Sequence, residues 1–183
     1  GGLSMMTVSD DTGEGPYDQI VEIAEADKLE IGRALTKYLA LHEALAADDL
    51  AGAKAASEAL RLAAEAIVPT KPPEFRDAWM PIQRQLLGHT KHLAGVATLD
   101  EARVPFREIS QQIATILRVF GNPGEETVRL AFCPMALDGQ GAEWVQRASE
   151  IQNPYFGSSM HSCGDIHESV EHGTFLPLKG GKP

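Results

Sequence analysis

The sequence predicts an all-α protein: an up-down-up-down four-helix bundle followed by a small irregular C-terminal annex that contains a short strand. Between residues 18 and 120, apolar side chains recur at alternating steps of three and four, in four separate patterns. The breaks between these patterns are short, which makes consecutive helices run antiparallel. After residue 124 the period falls to two over Val128, Leu130 and Phe132, and turn residues then dominate up to Gly164.

The first helix carries Ile31, Leu35, Tyr38, His42 and Leu45 on one stripe, widened by Leu39, and is expected to begin as early as Tyr17. Asp48 and Asp49 end it, and Asp49 is a candidate cap for the second helix, whose stripe is Ala53, Ala56, Leu60, Ala63 and Ile67. Pro69, Pro72 and Pro73 stop that pattern, because proline lacks the backbone donor and clashes with the preceding turn. The third helix runs through Phe75, Trp79, Ile82, Leu86, His89, Leu93 and Val96, with a kink or break expected at Pro81. Thr98 and Glu101 fit a capping box for the fourth helix, which carries Phe106, Ile109, Ile113, Ile116 and Phe120 and is expected to bend at Pro105. Gly121-Asn122-Pro123-Gly124 terminates it.

The organisation that follows is a flexible leader at 1–16, the bundle at 17–124, an annex packed on it at 125–172 and a flexible tail at 173–183. The leader is polar and Gly-rich after Val8, too poor in bulky side chains to offset the entropy of ordering. The chain has 183 residues with 16 Lys+Arg against 26 Asp+Glu, a formal charge of −10, which argues against nucleic acid or anionic lipid as a partner. No apolar run approaches the ~20 residues of a membrane span. The start Gly1-Gly2-Leu3 has no initiator Met, so a removed signal or anchor stays open.

The chemistry lies in the annex. Four sulfur side chains occur there in two pairs, Cys133 with Met135 and Met160 with Cys163. Two thiolates with thioethers would suit a soft ion, Cu(I) or Ag(I), better than magnesium or calcium. Zinc would need His161 or His167 to complete its tetrahedron. Two plainer readings stand beside this one. Cys133 and Cys163 could form a structural disulfide, contributing roughly 3.5 kcal/mol through loop closure, or the sulfurs could be inert core fillers. Asn153-Pro154-Tyr155-Phe156-Gly157 reads as scaffold, with Gly157 in a left-handed position, and Trp144 as a core anchor.

Cys133-Pro134-Met135-Ala136, Trp144, Ile151 to Gly157, Met160 and Cys163-Gly164 together resemble the motif of an uncharacterised bacterial periplasmic family. That family is found as the C-terminal extension of heavy-metal (copper/silver) efflux RND adaptor subunits and as stand-alone secreted proteins. The resemblance extends to Tyr38-Leu39, Ala44 to Ala53 and Phe106 to Ser110, and so covers residues 28 to 170. It implies a periplasmic or otherwise extracytoplasmic setting and a role in binding copper, silver or related ions. Cys133, Met135, Met160 and Cys163 are then the candidate metal ligands, with His161 as an additional one that the resemblance does not require. A heavy-metal efflux adaptor or a metallochaperone is the implied partner. An oxidising compartment also favours the disulfide.

Catalysis is not expected. There is no nucleophile elbow, phosphate-binding glycine loop or His-Glu-x-x-His motif, and the bundle lacks the inward Glu-x-x-His pairs of a di-iron site. His42 and His89 fall in the apolar phase and are expected to be partly buried structural histidines, each second nitrogen satisfied by a neighbouring helix. The function predicted from sequence is therefore a soft-metal binding protein or accessory domain. The alternative is a non-metal protein-interaction module of the cell envelope with a Cys133–Cys163 disulfide.

Overall fold

A computed structural model describes residues 17–179. The leader at 1–16 and the last residues of the tail lie outside the described residues. Four long helices make up most of the chain: α1 (Glu25–Ala46), α2 (Leu50–Glu65), α3 (Pro73–Ala94) and α4 (Leu99–Val119). Each packs against its neighbour in sequence, and their apolar stripes meet in one core. None of the helices among the described residues is long and apolar enough to cross a membrane.

The first helix starts later than its periodicity predicts. Exposure alternates over Ile20, Val21, Glu22, Ile23 and Ala24, with only Val21 and Ile23 buried, and the Val21 N–H donates to the Val119 carbonyl at 2.9 Å. This stretch is extended chain laid along the end of α4, and its period of two runs straight into the helical stripe that follows, which hides the boundary in the sequence. At its other end α1 closes in a Schellman motif: Asp49 N–H reaches Ala44 O and Asp48 N–H reaches Leu45 O. Asp48 takes the left-handed position, φ 58°, usually held by glycine. Asp49 caps α2 through its Oδ1, which accepts from Gly52 N–H at 2.9 Å.

Both internal prolines are carried inside continuous helices, Pro81 in α3 and Pro105 in α4, so no break occurs at Pro81. At the start of α4, Thr98 Oγ1 accepts from Glu101 N–H, as a capping box requires. The Glu101 carboxylate, however, accepts from the Thr98 hydroxyl rather than from its backbone.

The annex contains three strands rather than one. β1 (Val128–Cys133), β2 (Ala142–Gln146) and β3 (Asp165–Val170) form an antiparallel sheet in the order β2-β1-β3. β1 pairs Arg129 with Gln146 through Cys133 with Ala142 on one side, and Val128 with Val170 through Phe132 with Asp165 on the other. A bulge at Leu130/Ala131 shifts the second register. β2 packs against α4 and α1, where those two helices touch each other little. The sheet thus seals one side of the helical layer.

Aromatic side chains and one hydroxyl join the two parts. Tyr38 of α1 stacks on Phe106 of α4 at 5.6 Å, Phe106 meets Tyr155 edge-on at 5.7 Å, and Tyr155 meets Trp144 of β2 at 5.9 Å. The Tyr38 hydroxyl accepts from the Val145 N–H of β2 and shares a hydrogen bond with Ser110 of α4, each at 2.9 Å. Burial holds its pKa well above the usual phenol range, against the opposing pull of these two hydrogen bonds. Tyr38→Phe keeps the ring and strands a buried backbone donor, so a loss of roughly 2 kcal/mol is expected in urea unfolding. A change below a few tenths would mean that Val145 finds another acceptor.

The segment from Gly173 to Pro177, expected to open a flexible tail, lies on α4. Leu176 is 2% exposed and donates to Leu117 O, while Gly173 and Thr174 bond to the backbone of Asn122. One buried apolar side chain and its hydrogen bonds anchor what composition reads as loop.

Candidate functional site

The two cysteines are brought into contact. β1 and β3 are neighbours, Phe132 is paired with Asp165, and the chain enters β3 directly from Cys163-Gly164. Sγ of Cys133 and Sγ of Cys163, 30 residues apart in sequence, stand 2.9 Å from each other as free thiols. Cys133 is fully buried at the end of the central strand, and Cys163 is partly exposed. The shared S–H contact, burial and the Asp165 carboxylate push the Cys163 thiol up to about 11, so it holds its proton at neutral pH.

Gly164 makes this approach possible. Its φ is 122°, and a Cβ there would stand 2.7 Å from the Phe132 carbonyl oxygen and 3.2 Å from the Trp144 ring. Any other residue would lift the chain off β1 and carry Cys163 away from Cys133.

The methionines flank the pair on exposed segments. Met135 opens a tight turn after β1, and its side chain is 56% exposed. Met160 precedes the turn in which Cys163 N–H donates to its carbonyl, and it is 38% exposed. The turn after Met135 places Leu137 (φ 54°) and Asp138 (φ 58°) in left-handed conformations, an uncommon pair of non-glycine residues there. His161 lines a shallow hollow of about 500 Å³ with Glu150, Gln152 and Asp165; neither cysteine contributes to its lining. Among the described residues, no three His, Cys, Asp or Glu side chains are grouped to hold a metal ion.

Three buried amides tie the loops of the annex together, two of them within turn motifs legible in the sequence and one of them bonded to a cysteine. Asn153 accepts at Oδ1 from the N–H groups of Tyr155 and Phe156 and donates from Nδ2 to the Cys163 carbonyl at 2.8 Å. Gln146 accepts at Oε1 from Trp144 Nε1 and Gln152 N–H and donates to the carbonyls of Ala148 and Glu150. Asn122 donates to the Glu126 and Val170 carbonyls, tying the end of α4 to the end of β3. Asparagines next to Pro123 and Pro154 were the available signal, since such positions often carry side-chain to backbone turns.

A second anchor fastens the Asn153–Gly157 turn to the helices. Arg103 of α4 donates from Nε to Pro154 O and from Nη2 to Asp48 Oδ1, both at 2.9 Å. The other Asp48 oxygen accepts from the backbone and hydroxyl of Ser158, and these bonds hold its carboxyl below the usual range. Gly157 is left-handed, as its place in the sequence predicts, at φ 56°; a Cβ would collide with this Asp48 carboxylate.

His42 and His89 part company. His42 is fully buried, but its Nε2 meets the Gln152 carbonyl of the annex at 2.8 Å rather than a neighbouring helix. Because a carbonyl only accepts, Nε2 carries the proton and Nδ1 is a bare acceptor, which has no hydrogen-bond partner. Burial, with Arg147 and His161 nearby, lowers its pKa to about 4. His89 is half-exposed and bonds Gln85 on the same helix, while Thr90 takes the buried position.

Fold and site together define a four-helix scaffold carrying a small antiparallel sheet, with a dithiol where the central strand ends and the third begins. The helical part, residues 34–124, matches the model of a family described as a protein of unknown function (DUF3347). The matched span ends before β1, so the thiols lie outside it. Comparison with curated proteins and with solved structures found no match.

Proposed function

We propose that the chain is an extracytoplasmic soft-metal binding protein, serving copper or silver handling as a chaperone, sensor or accessory domain of a heavy-metal efflux adaptor. Cys133 and Cys163 act as thiolate ligands, Met135 and Met160 as thioether ligands. The observation that carries this reading is the contact of two thiols, 30 residues apart, at 2.9 Å at the end of the central strand of the sheet. The donor chemistry fits: thiolate and thioether sulfurs favour soft monovalent ions over magnesium or calcium. Two thiolates on one tetrahedral centre would sit about 3.8 Å apart with metal–sulfur bonds of about 2.3 Å, an opening of under about 1 Å. The helices, read as an up-down-up-down bundle, serve as the frame that a partner would grip.

Anaerobic titration with Cu(I) against a competing chelator is expected to show one ion per chain. The Cys133→Ser, Cys163→Ser double variant should bind more weakly by well over 100-fold, beyond the loss typical of outer-shell partners alone. Binding unchanged in that variant would remove the thiols from the role.

The same contact supports a second reading, a protein-interaction module with a structural disulfide, since closing from 2.9 Å to the ~2.05 Å of a disulfide also takes under about 1 Å. Counting thiols in native protein under denaturing, non-reducing conditions separates them. Two reactive thiols support the metal site and none supports the disulfide.

A further inference from the structure

We propose that the pair also carries out thiol–disulfide exchange, with Cys163 as the entry thiol and Cys133 as the resolving thiol, and that the closed disulfide is the form unable to hold the ion. The second half rests on the metal reading above; the first does not.

The inference comes from the asymmetry of the pair. Two thiols in contact are equivalent for holding an ion, but they are not equivalent towards a reagent in solution. Cys163 is partly exposed at the mouth of a turn, whereas Cys133 is 0% exposed, with its strand hydrogen-bonded on both sides. A disulfide reagent therefore reaches only Cys163. Once a mixed disulfide forms there, the next sulfur in line is Cys133, 2.9 Å away. The backbone is braced for that encounter: Asn153 holds the Cys163 carbonyl, and Gly164 lets the chain lie against Phe132.

The co-reactant is a small disulfide. The Cys163 thiol gives up its proton as its sulfur attacks one of the reagent's sulfurs; a bond forms between them, the reagent's S–S bond breaks, and the leaving thiolate takes up that proton. The Cys133 thiolate then attacks Sγ of Cys163, the protein S–S bond forms, and the second reagent thiolate leaves and is protonated. In sum, two protein thiols give up two electrons and two protons, and one disulfide becomes two thiols. The product has neither thiolate charge, so only the neutral thioethers remain to meet a cation.

The test uses the reduced full-length chain, kept anaerobic, with oxidised glutathione as the probe and Ag(I) as the ion. Wild type is expected to lose two titratable thiols without retaining glutathione by intact mass, and to recover both on reduction. Cys133→Ser should accumulate a stable mixed disulfide at Cys163, while Cys163→Ser stays unmodified. Equal modification of the two variants would overturn the entry order, and glutathione retained on wild type would overturn the resolving step. Reduced wild type is expected to bind Ag(I) and the oxidised form to lose that binding; equal affinity in the two forms overturns the gating. If even the reduced form fails to bind Ag(I), the metal reading and its gating fall, while the mass measurements decide the exchange chemistry on their own. The wild-type arms need no variant to fold.

Discussion

Asn153→Ala is expected to destabilise the chain by roughly 4 kcal/mol. The side chain is fully buried and makes three hydrogen bonds: from Tyr155 N–H at 2.8 Å, from Phe156 N–H at 3.1 Å and to Cys163 O at 2.8 Å. Each is worth about 1 kcal/mol net, and a buried partner left unsatisfied costs about 1–3 kcal/mol. Tyr155 is itself buried, so no water replaces the lost acceptor without rearrangement. Asn153→Asp keeps the acceptor but turns a buried carboxylate oxygen towards the Cys163 carbonyl, so it too should destabilise the chain. Urea unfolding of the three proteins measures both. Equal stability of wild type and Asn153→Ala would mean that the turn closes without this amide. Because the lost donor held the Cys163 carbonyl, the alanine variant should also weaken Cu(I) binding if the thiols are ligands.

Acid is expected to remove roughly 3 kcal/mol of stability through His42 alone. Its imidazole is buried and neutral, with a pKa lowered from 6.5 to about 4, chiefly by burial. The Gln152 carbonyl opposes that shift, and the charges of Arg147 and His161 add to it. Above pH 6.5 the ring is neutral in folded and unfolded chains alike, so it contributes no pH dependence. As pH falls from 6.5 towards 4, the unfolded chain takes up a proton that the folded one excludes, and stability drops. Below about 4 both forms are protonated and the loss is complete. The depression converts to roughly 3 kcal/mol at 1.36 kcal/mol per pH unit. Unfolding free energies at pH 7 and pH 4 should differ by this much more in wild type than in His42→Leu. A leucine variant with the same pH dependence would assign the acid loss to other groups.

The stretches that were legible in sequence are those whose burial is one-sided. α2, α3 and α4 repeat their apolar positions every three to four residues because one face meets the core, and Asp49 and Thr98 mark where two of them begin. β1 was visible through the apolar alternation of Val128, Leu130 and Phe132, although Ala131 and Cys133 on the opposite face are buried too and Phe132 is only partly covered. β2 was not, because Ala142, Trp144, Val145 and Gln146 are buried on both faces and leave no alternation. β3 was hidden by the opposite condition: Asp165, His167, Glu168 and Ser169 are exposed, and only Val170 is fully buried. The start of α1 was misplaced because Val21 and Ile23 belong to an extended strip whose partner, Val119, is far along the chain.

The candidate site divides in the same way. Cys133, Met135, Met160 and Cys163 could be named as soft donors because side-chain chemistry is local. Their meeting could not be read, since it depends on β3 returning beside β1 and on Gly164 having no side chain. Asp48 shows the contrast within one residue. Its left-handed place at the end of α1 follows from local turn preference, but its carboxylate is aimed at Arg103 and Ser158, which come from elsewhere in the chain.

By itself the amino-acid order determined the four helices, the change of character after residue 124 and the presence of two sulfur pairs, because propensity, periodicity and ligand softness are properties of neighbouring residues. Only the tertiary structure decided that the thiols touch, that one is sheltered and the other reachable, and that the Asn153 amide holds the Cys163 carbonyl. Those outcomes require contacts between residues tens of positions apart, whose formation depends on the packing of the whole chain rather than on any segment of it.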